Sequence, residues 1–307
     1  TYYFGPNKYK LFKSYDKGKE ESNKWDLDEL IPLGWGIFGW VNKILVIPVF
    51  NFLEKFIDSY GIIILLLTLF IKLVLLPLTY KSYLSTAKMK VLRPQIEEIN
   101  AKIPAEKAME RQKATMALYK KVGVSPMGGC LPMMLQMPIL FALFTFFPAS
   151  IELRQESFLW AKDLSTFDAI VSWDTYIPII STYYGNHISL FCVLMAITNI
   201  VYTKLNSDAT GSTQQMPGMK YVMYLMPLMF LVFFNEYASG LSYYYFISTL
   251  FTILQTYIFR LFIDDEKLLK KLNENKKKPS KKSRFAEKLE QLQKQQLELQ
   301  KQQRNKK

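Results

Sequence analysis

The stretch Leu65–Lys81, LLLTLFIKLVLLPLTYK, is apolar enough to lie in hydrocarbon, yet it carries a lysine near its middle. Crossing a bilayer takes roughly 20 apolar residues in helical form. Every backbone N–H and C=O in such a run must be bonded inside the segment, which a helix alone achieves from one continuous block. Four further blocks of this kind follow, and spans are expected at 61–80, 130–149, 187–204, 220–235 and 241–262. The near-neutral mean hydropathy hides them, because strongly charged stretches alternate with the apolar ones.

Lys72 stands eleven residues after Gly61 and nine before Lys81, roughly 14 to 16 Å from either end at about 1.5 Å per residue. A cation at that depth costs about 2.5–3.5 kcal/mol on insertion scales and is expected to face a bundle interior or a water-filled cavity. The spans offer no acidic partner at its level, since Glu236 and Asp264 fall toward span ends. They offer neutral polar groups instead: Thr68 one turn earlier, Gln136, Thr198, Asn199, Ser248, Thr252 and Gln255. Each alone suits an interhelical hydrogen bond. Together with an unpaired lysine they predict a hydrated groove whose charge attracts an acidic segment, and a translocating peptide fits that chemistry. A snorkelling or internally paired structural lysine is the plainer alternative.

Charge sets the expected topology. Residues 81–126 hold ten Lys or Arg against four acids, residues 151–184 hold two against five, and residues 264–307 hold fifteen against seven. The positive-inside bias therefore places the first and last of these in the cytoplasm and the middle one outside, with the N-terminus out and the C-terminus in. Met89, Leu92, Ile96 and Ile99 recur at helical spacing, and a second run follows Pro104 as if in a first helical turn, so 84–122 reads as a cytoplasmic helical hairpin. The segment 37–57 mixes aromatics with Lys43, Pro48, Asn51, Glu54 and Lys55 and reads as an interfacial amphipathic helix, a sixth span being its rival. Residues 1–34 read as the end of a soluble domain with a linker, and the TYYFGPNKYK start as a piece of a longer or processed protein. Leu289, Leu292, Leu297 and Leu299 hold no heptad, so a solvated, partly helical tail is expected rather than a coiled coil. Its basic residues suit ribosomal RNA phosphates, with anionic lipid headgroups as the alternative.

Two cysteines, Cys130 and Cys192, are too few for a disulfide framework or metal cluster. With one histidine, His187, at the edge of the third span and neither HExxH nor GxSxG present, no enzyme, cofactor or metal is expected. A small-anion transporter or channel using Lys72 as its binding charge remains the alternative function, against which stand the odd number of spans and the absence of paired half-helices.

Four strings then stand in one order: IKLVLLPLTYKSYLSTAKMKVLRPQI, PMGGCLPMMLQMPILFALF, IELRQESFLWAKDLS and ASGLSYYYFISTLFTILQ. In order and spacing they resemble the YidC/Oxa/Alb family of membrane protein insertases, over about residues 35–262. The resemblance implies an all-α polytopic membrane protein. Five transmembrane helices would surround a hydrophilic groove open to the cytoplasm and to lipid, within 59–263. An interfacial helix at 35–58, the mobile hairpin at 84–122, an outward segment at 151–184 and a basic tail at 264–307 complete it. It implies insertion of nascent membrane proteins in the bacterial inner membrane, with the ribosome, the Sec translocon, the signal recognition machinery and the lipid bilayer as partners. Lys72 takes the family's charged groove position, with Thr68, Gln136, Asn199, Thr252 and Gln255 beside it. The family carries arginine there; lysine keeps the charge and loses the planar fork that binds carboxylates through two parallel bonds. The start resembles the last strand of the family's large periplasmic domain, whose bulk and preceding anchor helix would be absent.

Overall fold

The structure is a computed structural model, and it describes residues 4–20, 23–104, 106–125, 131–178, 180–210 and 219–277. Its elements in order are α1 (Tyr9–Tyr15), α2 (Ile37–Val41), a π turn (Asn42–Val46), α3 (Ile47–Leu53), α4 (Tyr60–Val91), α5 (Arg93–Lys102), α6 (Ala108–Val122), α7 (Leu131–Ala149), β1 (Val171–Ser172), α8 (Ile180–Tyr183), β2 (His187–Ile188), α9 (Leu190–Thr210), α10 (Met219–Phe234), α11 (Ser239–Phe262) and α12 (Asp265–Lys277). The protein is mostly helical. Among the described residues, the departures from an all-α reading are one antiparallel pair, β1 with β2, registering Val171 opposite Ile188 and Ser172 opposite His187, and an isolated bridge between Phe158 and Ala161. His187 therefore lies in a strand, and the third apolar helix begins three residues later than expected.

Each expected span coincides with a helix, because an apolar block has no other way to satisfy its backbone. By length and composition α4 and α11 qualify to cross a membrane; the described apolar parts of α7, α9 and α10 are shorter. Among the described residues, two separate cores organise the chain. The larger one includes Ile63, Leu67 and Ile71 of α4, Leu143 and Phe147 of α7, Phe191 and Met195 of α9 and Tyr244 of α11. Phe12 and Leu33 are buried in it too, so the stretch expected as domain end and linker packs against the helices. Residues 1–3 of the expected strand lie outside the described residues, and 4–8 form none.

The second core, at the other end of α4, contains Met89, Leu92, Ile96, Tyr119, Val122, Leu268 and Leu272. Here α4 runs unbroken to Val91, so the first residues of the hairpin extend the long helix, and α6 starts at Ala108 rather than beside Pro104. Arg111 closes the α5–α6 turn by donating to the carbonyls of Asn100 and Ile103, both at 2.7 Å. Gly123, at φ 73°, ends α6 in the left-handed conformation that glycine adopts without strain. α12 is part of this packed core, which the reading of 264–307 as a solvated tail did not anticipate. Residues 278–307, the rest of the expected tail, and Cys130 lie outside the described residues.

The α2–α3 segment is held by Val41, Val46, Ile47 and Phe50 in the larger core and by one polar side chain. Asn42, fully buried, donates from Nδ2 to the carbonyls of Leu33 (2.8 Å) and Ala142 (2.7 Å). It opens the π turn, and Pro48, just beyond, has no N–H to offer the carbonyl of Ile44 four residues back. Trp35, Ile37, Trp40, Ile44, Phe52 and Phe56 are exposed along this segment.

At the end opposite the hairpin, residues 150–189 stitch the helices together. The carboxyl of Asp168 accepts bonds from the Ser189 hydroxyl, Trp160 Nε1 (2.8 Å) and the N–H groups of Leu190 (2.9 Å) and Phe191 (3.2 Å). Ser189 Oγ in turn accepts from Cys192 N at 3.1 Å. The first three amides of α9, which have no partner inside the helix, are thus all bonded, and a carboxylate sits at the positive end of its dipole. The same loop caps α11, where Ser239 N donates to Thr166 O (2.6 Å) and Gly240 N to Leu164 O (3.0 Å). The approach is close enough that a Cβ at Gly61 of α4 would overlap the ring of Phe158. Within the loop, burial pushes the Asp163 carboxyl up, but bonds from the Ser165 hydroxyl and amide outweigh it and hold the group below its ordinary value. A depressed folded-state value means stability present above about pH 4 and lost as pH falls.

Asp168→Ala removes the acceptor of four donors, two of them buried, and is expected to cost about 2–4 kcal/mol of stability. Thermal unfolding in detergent micelles reads this as a clearly lower midpoint, with Asp168→Asn falling between.

Candidate functional site

Lys72 lies on α4 where that helix meets α7 and α11, and it is only 6% exposed. Its Nζ donates to Thr252 Oγ1 at 2.8 Å and, more weakly, to Gln136 Oε1 at 3.4 Å. Gln136 Nε2 donates to the Tyr244 hydroxyl at 2.9 Å, and Thr252 Oγ1 donates to Ser248 O one turn back at 2.8 Å. An ammonium has donors only, which orients the Gln136 oxygen toward it and leaves the amide NH₂ for the phenol. Among the described residues, no carboxylate lies within 4 Å of the amine. The charge is therefore surrounded by neutral dipoles alone, and a buried ion so placed retains most of its demand for an anion.

Local sequence explains how the groups converge. Tyr244, Ser248 and Thr252 recur every four residues on α11 and so share one face of an otherwise apolar helix. That stripe faces Lys72 across the contact between α4 and α11. Gln136 reaches the same point from the first half of α7.

The expected residues divide. Lys72, Gln136 and Thr252 meet in one hydrogen-bonded cluster. Thr68, fully buried, donates to Ile64 O of its own helix at 2.7 Å. Asn199 likewise donates to Met195 O at 2.9 Å, and Thr198 to Leu194 and Met195 carbonyls. Gln255 has a buried Oε1 that accepts no bond among the described residues. Tyr244 was not expected. Its place in the four-residue polar spacing was the signal available, obscured because a tyrosine among SYYYF reads as apolar.

His187 is buried, stacked on Phe167 with ring centroids 3.9 Å apart, and its Nε2 bonds the backbone oxygen of Asn235 at 2.9 Å. The Asn235 side chain donates to Tyr184 O and His187 O and accepts from Ser189 N. This arrangement fixes the loop. It places no nucleophile beside the ring among the described residues.

A family model described as 60Kd inner membrane protein matches residues 52–267. The chain belongs to the 60Kd inner membrane protein family. Similar proteins named membrane protein insertase YidC come from Parabacteroides distasonis (66% identical, over 100% of this chain and 49% of that protein), Porphyromonas gingivalis (50%, over 100% and 50%) and Bacteroides fragilis (53%, over 99% and 49%). The chain spans about half the length of these curated relatives. A crystal structure of an active YidC insertase with its first transmembrane domain resolved aligns with TM-score 0.52 at 28% identity, covering 82% of this chain and 54% of that one. The family resemblance carried by the four sequence strings is thereby borne out. The small-anion transporter alternative has no support among these 60Kd family relatives.

The buried cluster predicts opposite effects of two substitutions. Lys72→Met removes the desolvated charge and is expected to leave thermal stability unchanged or raised, because apolar replacements of buried ions are often neutral or stabilising. Gln136→Leu strips one of the two partners from a remaining ammonium and is expected to lower stability by about 1–3 kcal/mol. Parallel unfolding measurements on both variants check the pair.

Proposed function

We propose that the chain forms the core of a bacterial inner-membrane insertase in which Lys72 receives the acidic or polar flank of a nascent membrane protein. The observation that carries this reading is the amine itself: buried where three apolar helices meet, and bonded to neutral oxygens only. A carboxylate arriving there displaces the long Gln136 contact and exchanges a neutral acceptor for an ion pair in surroundings of low dielectric. The client's apolar part then leaves sideways into lipid along α9 and α11, driven by burial of its hydrocarbon surface. No covalent bond is made or broken.

In the accompanying topology α4, α7, α9, α10 and α11 are five spans, N-terminus out and C-terminus in, and the α2–α3 segment lies on the outer surface with Trp35, Trp40 and Phe52 toward lipid. The basic hairpin and tail then face the cytoplasm, as the charge bias requires. The groove opens to that side, and the capping loop over α9 and α11 supports its closure outward. Gln255, whose Oε1 accepts no bond among the described residues, is assigned to the polar lining beside Lys72, while the Thr68 and Asn199 side chains donate to carbonyls of their own helices. The basic residues after 277 are assigned to ribosome contact, and the Sec translocon and signal recognition machinery to the hairpin side.

In reconstituted vesicles Lys72→Ala is expected to lower insertion of a small single-span client with an acidic flank about 10- to 100-fold, the worth of one charge-assisted contact. Lys72→Arg is expected to preserve it. Equal insertion by wild type and the alanine variant removes the lysine from the mechanism. Deleting 278–307, which leaves α12 in place, is expected to weaken ribosome cosedimentation, with wild-type binding falling steeply as salt rises.

A further inference from the structure

α12 follows α11 after a two-residue break and turns back onto the hairpin. Asp264 starts it by accepting the amides of Glu266 (3.0 Å) and Lys267 (3.2 Å). Leu268 and Leu272, four residues apart, share one face and are buried with Leu92, Ile96, Tyr119 and Val122. Lys90 on the extended α4 pairs with Asp265 at 3.0 Å. Lys267 and Lys270 remain exposed.

Without α12 the hairpin keeps its turn bonds from Arg111 and the side chains of Ala87, Met89 and Leu92 in its core, but loses the two leucines that cover the rest of it. α5 has 10 residues and α6 has 15, and helices of that length are marginal unless an apolar face is packed. In α5, Ile96 is the buried side chain. The leucines of α12 therefore close a core that the two arms cannot complete between themselves. Position matters as well: α12 joins α11, which supplies Tyr244 and Thr252 to the Lys72 cluster, to the basic residues after 277.

We propose that α12 is a clamp that holds the hairpin in one orientation against the end of α4 and couples it energetically to the tail. While α12 is docked, it moves as one body with the hairpin and the end of α11. When it lifts, the hairpin loosens. Coupling of this kind is reciprocal, so whatever the tail binds shifts the hairpin's order and the reverse. The functional meaning of that coupling rests on the roles proposed above for the hairpin and the tail; the clamp itself does not.

Hydrogen exchange on the chain in lipid nanodiscs tests it. In Leu268→Ser/Leu272→Ser, amides of 93–122 are expected to exchange about tenfold faster or more, with α9 and α11 unchanged as the control for folding. Should that variant fail to fold, Leu272→Ala serves with the same readout and an expected rise of about fivefold. Hairpin exchange equal to wild type overturns the clamp. A disulfide between Lys90→Cys and Asp265→Cys, formed in the double-serine background, is expected to return protection toward wild type; a bridge that forms without doing so also overturns it. Ribosome cosedimentation of the 278–307 deletion is scored separately, so failure of the ribosome reading leaves the exchange result standing.

Discussion

A positive charge withdrawn from water among apolar helices is the constraint on which the rest of this bundle turns. Lys72 requires oxygen acceptors at its own level, and α7 and α11 must each present one at the same depth. That requirement fixes the rotation of both helices about their axes, since a turn of α11 by one residue carries Thr252 away from the amine by about 100°. The packing of Leu67 and Ile71 beside it is then a consequence of where the lysine must point. As a purely structural device the arrangement is poor, because leucine or methionine there satisfies the same helices without the desolvation cost. The reading proposed for it, standing affinity for an anion brought by a client, gives that cost a use.

The two ends of the bundle are built by different physics. One is stitched by directed hydrogen bonds, with Asp168 and the carbonyls of Leu164 and Thr166 satisfying the first amides of two helices at once. The other is held by a small core of three leucines, two valines, a methionine, an isoleucine, an alanine and a tyrosine, in a stretch of strongly basic sequence. Bonds of the first kind are geometrically exacting and resist sliding, whereas a small apolar contact between short helices permits exchange of partners. Rigidity is thus concentrated at the capped end and adaptability at the basic end.

Much of this was legible in the residues. The five apolar helices were, because block length leaves the backbone no alternative. Lys72, Gln136 and Thr252 were, because a polar side chain surrounded by hydrocarbon must find another. Which polar groups pair across helices was not, since Thr68 and Asn199 satisfy themselves on their own helix one turn back, an option every short polar side chain in a helix retains. Asp168 entered the sequence reading as one negative charge among five, a count that fixes sidedness and says nothing of capping. α12 was hidden in a charged run, where two leucines four apart look incidental until the face they complete is known. Tyr244 was passed over because an aromatic in an apolar span reads as filler, although its hydroxyl bonds the Gln136 amide.

The shared cap over α9 and α11 also has a mechanical result. Two rods fastened together at one end separate most at the other, and from the cap to the far tips is about 30 Å for helices of some 20 residues. A swing of roughly 5° about the fastened ends, too small to break the cap's hydrogen bonds, parts the opposite tips by about 3 Å over that lever arm. A pair of tweezers gripped at its hinge has this property: its tips part a little while its pivot stays shut.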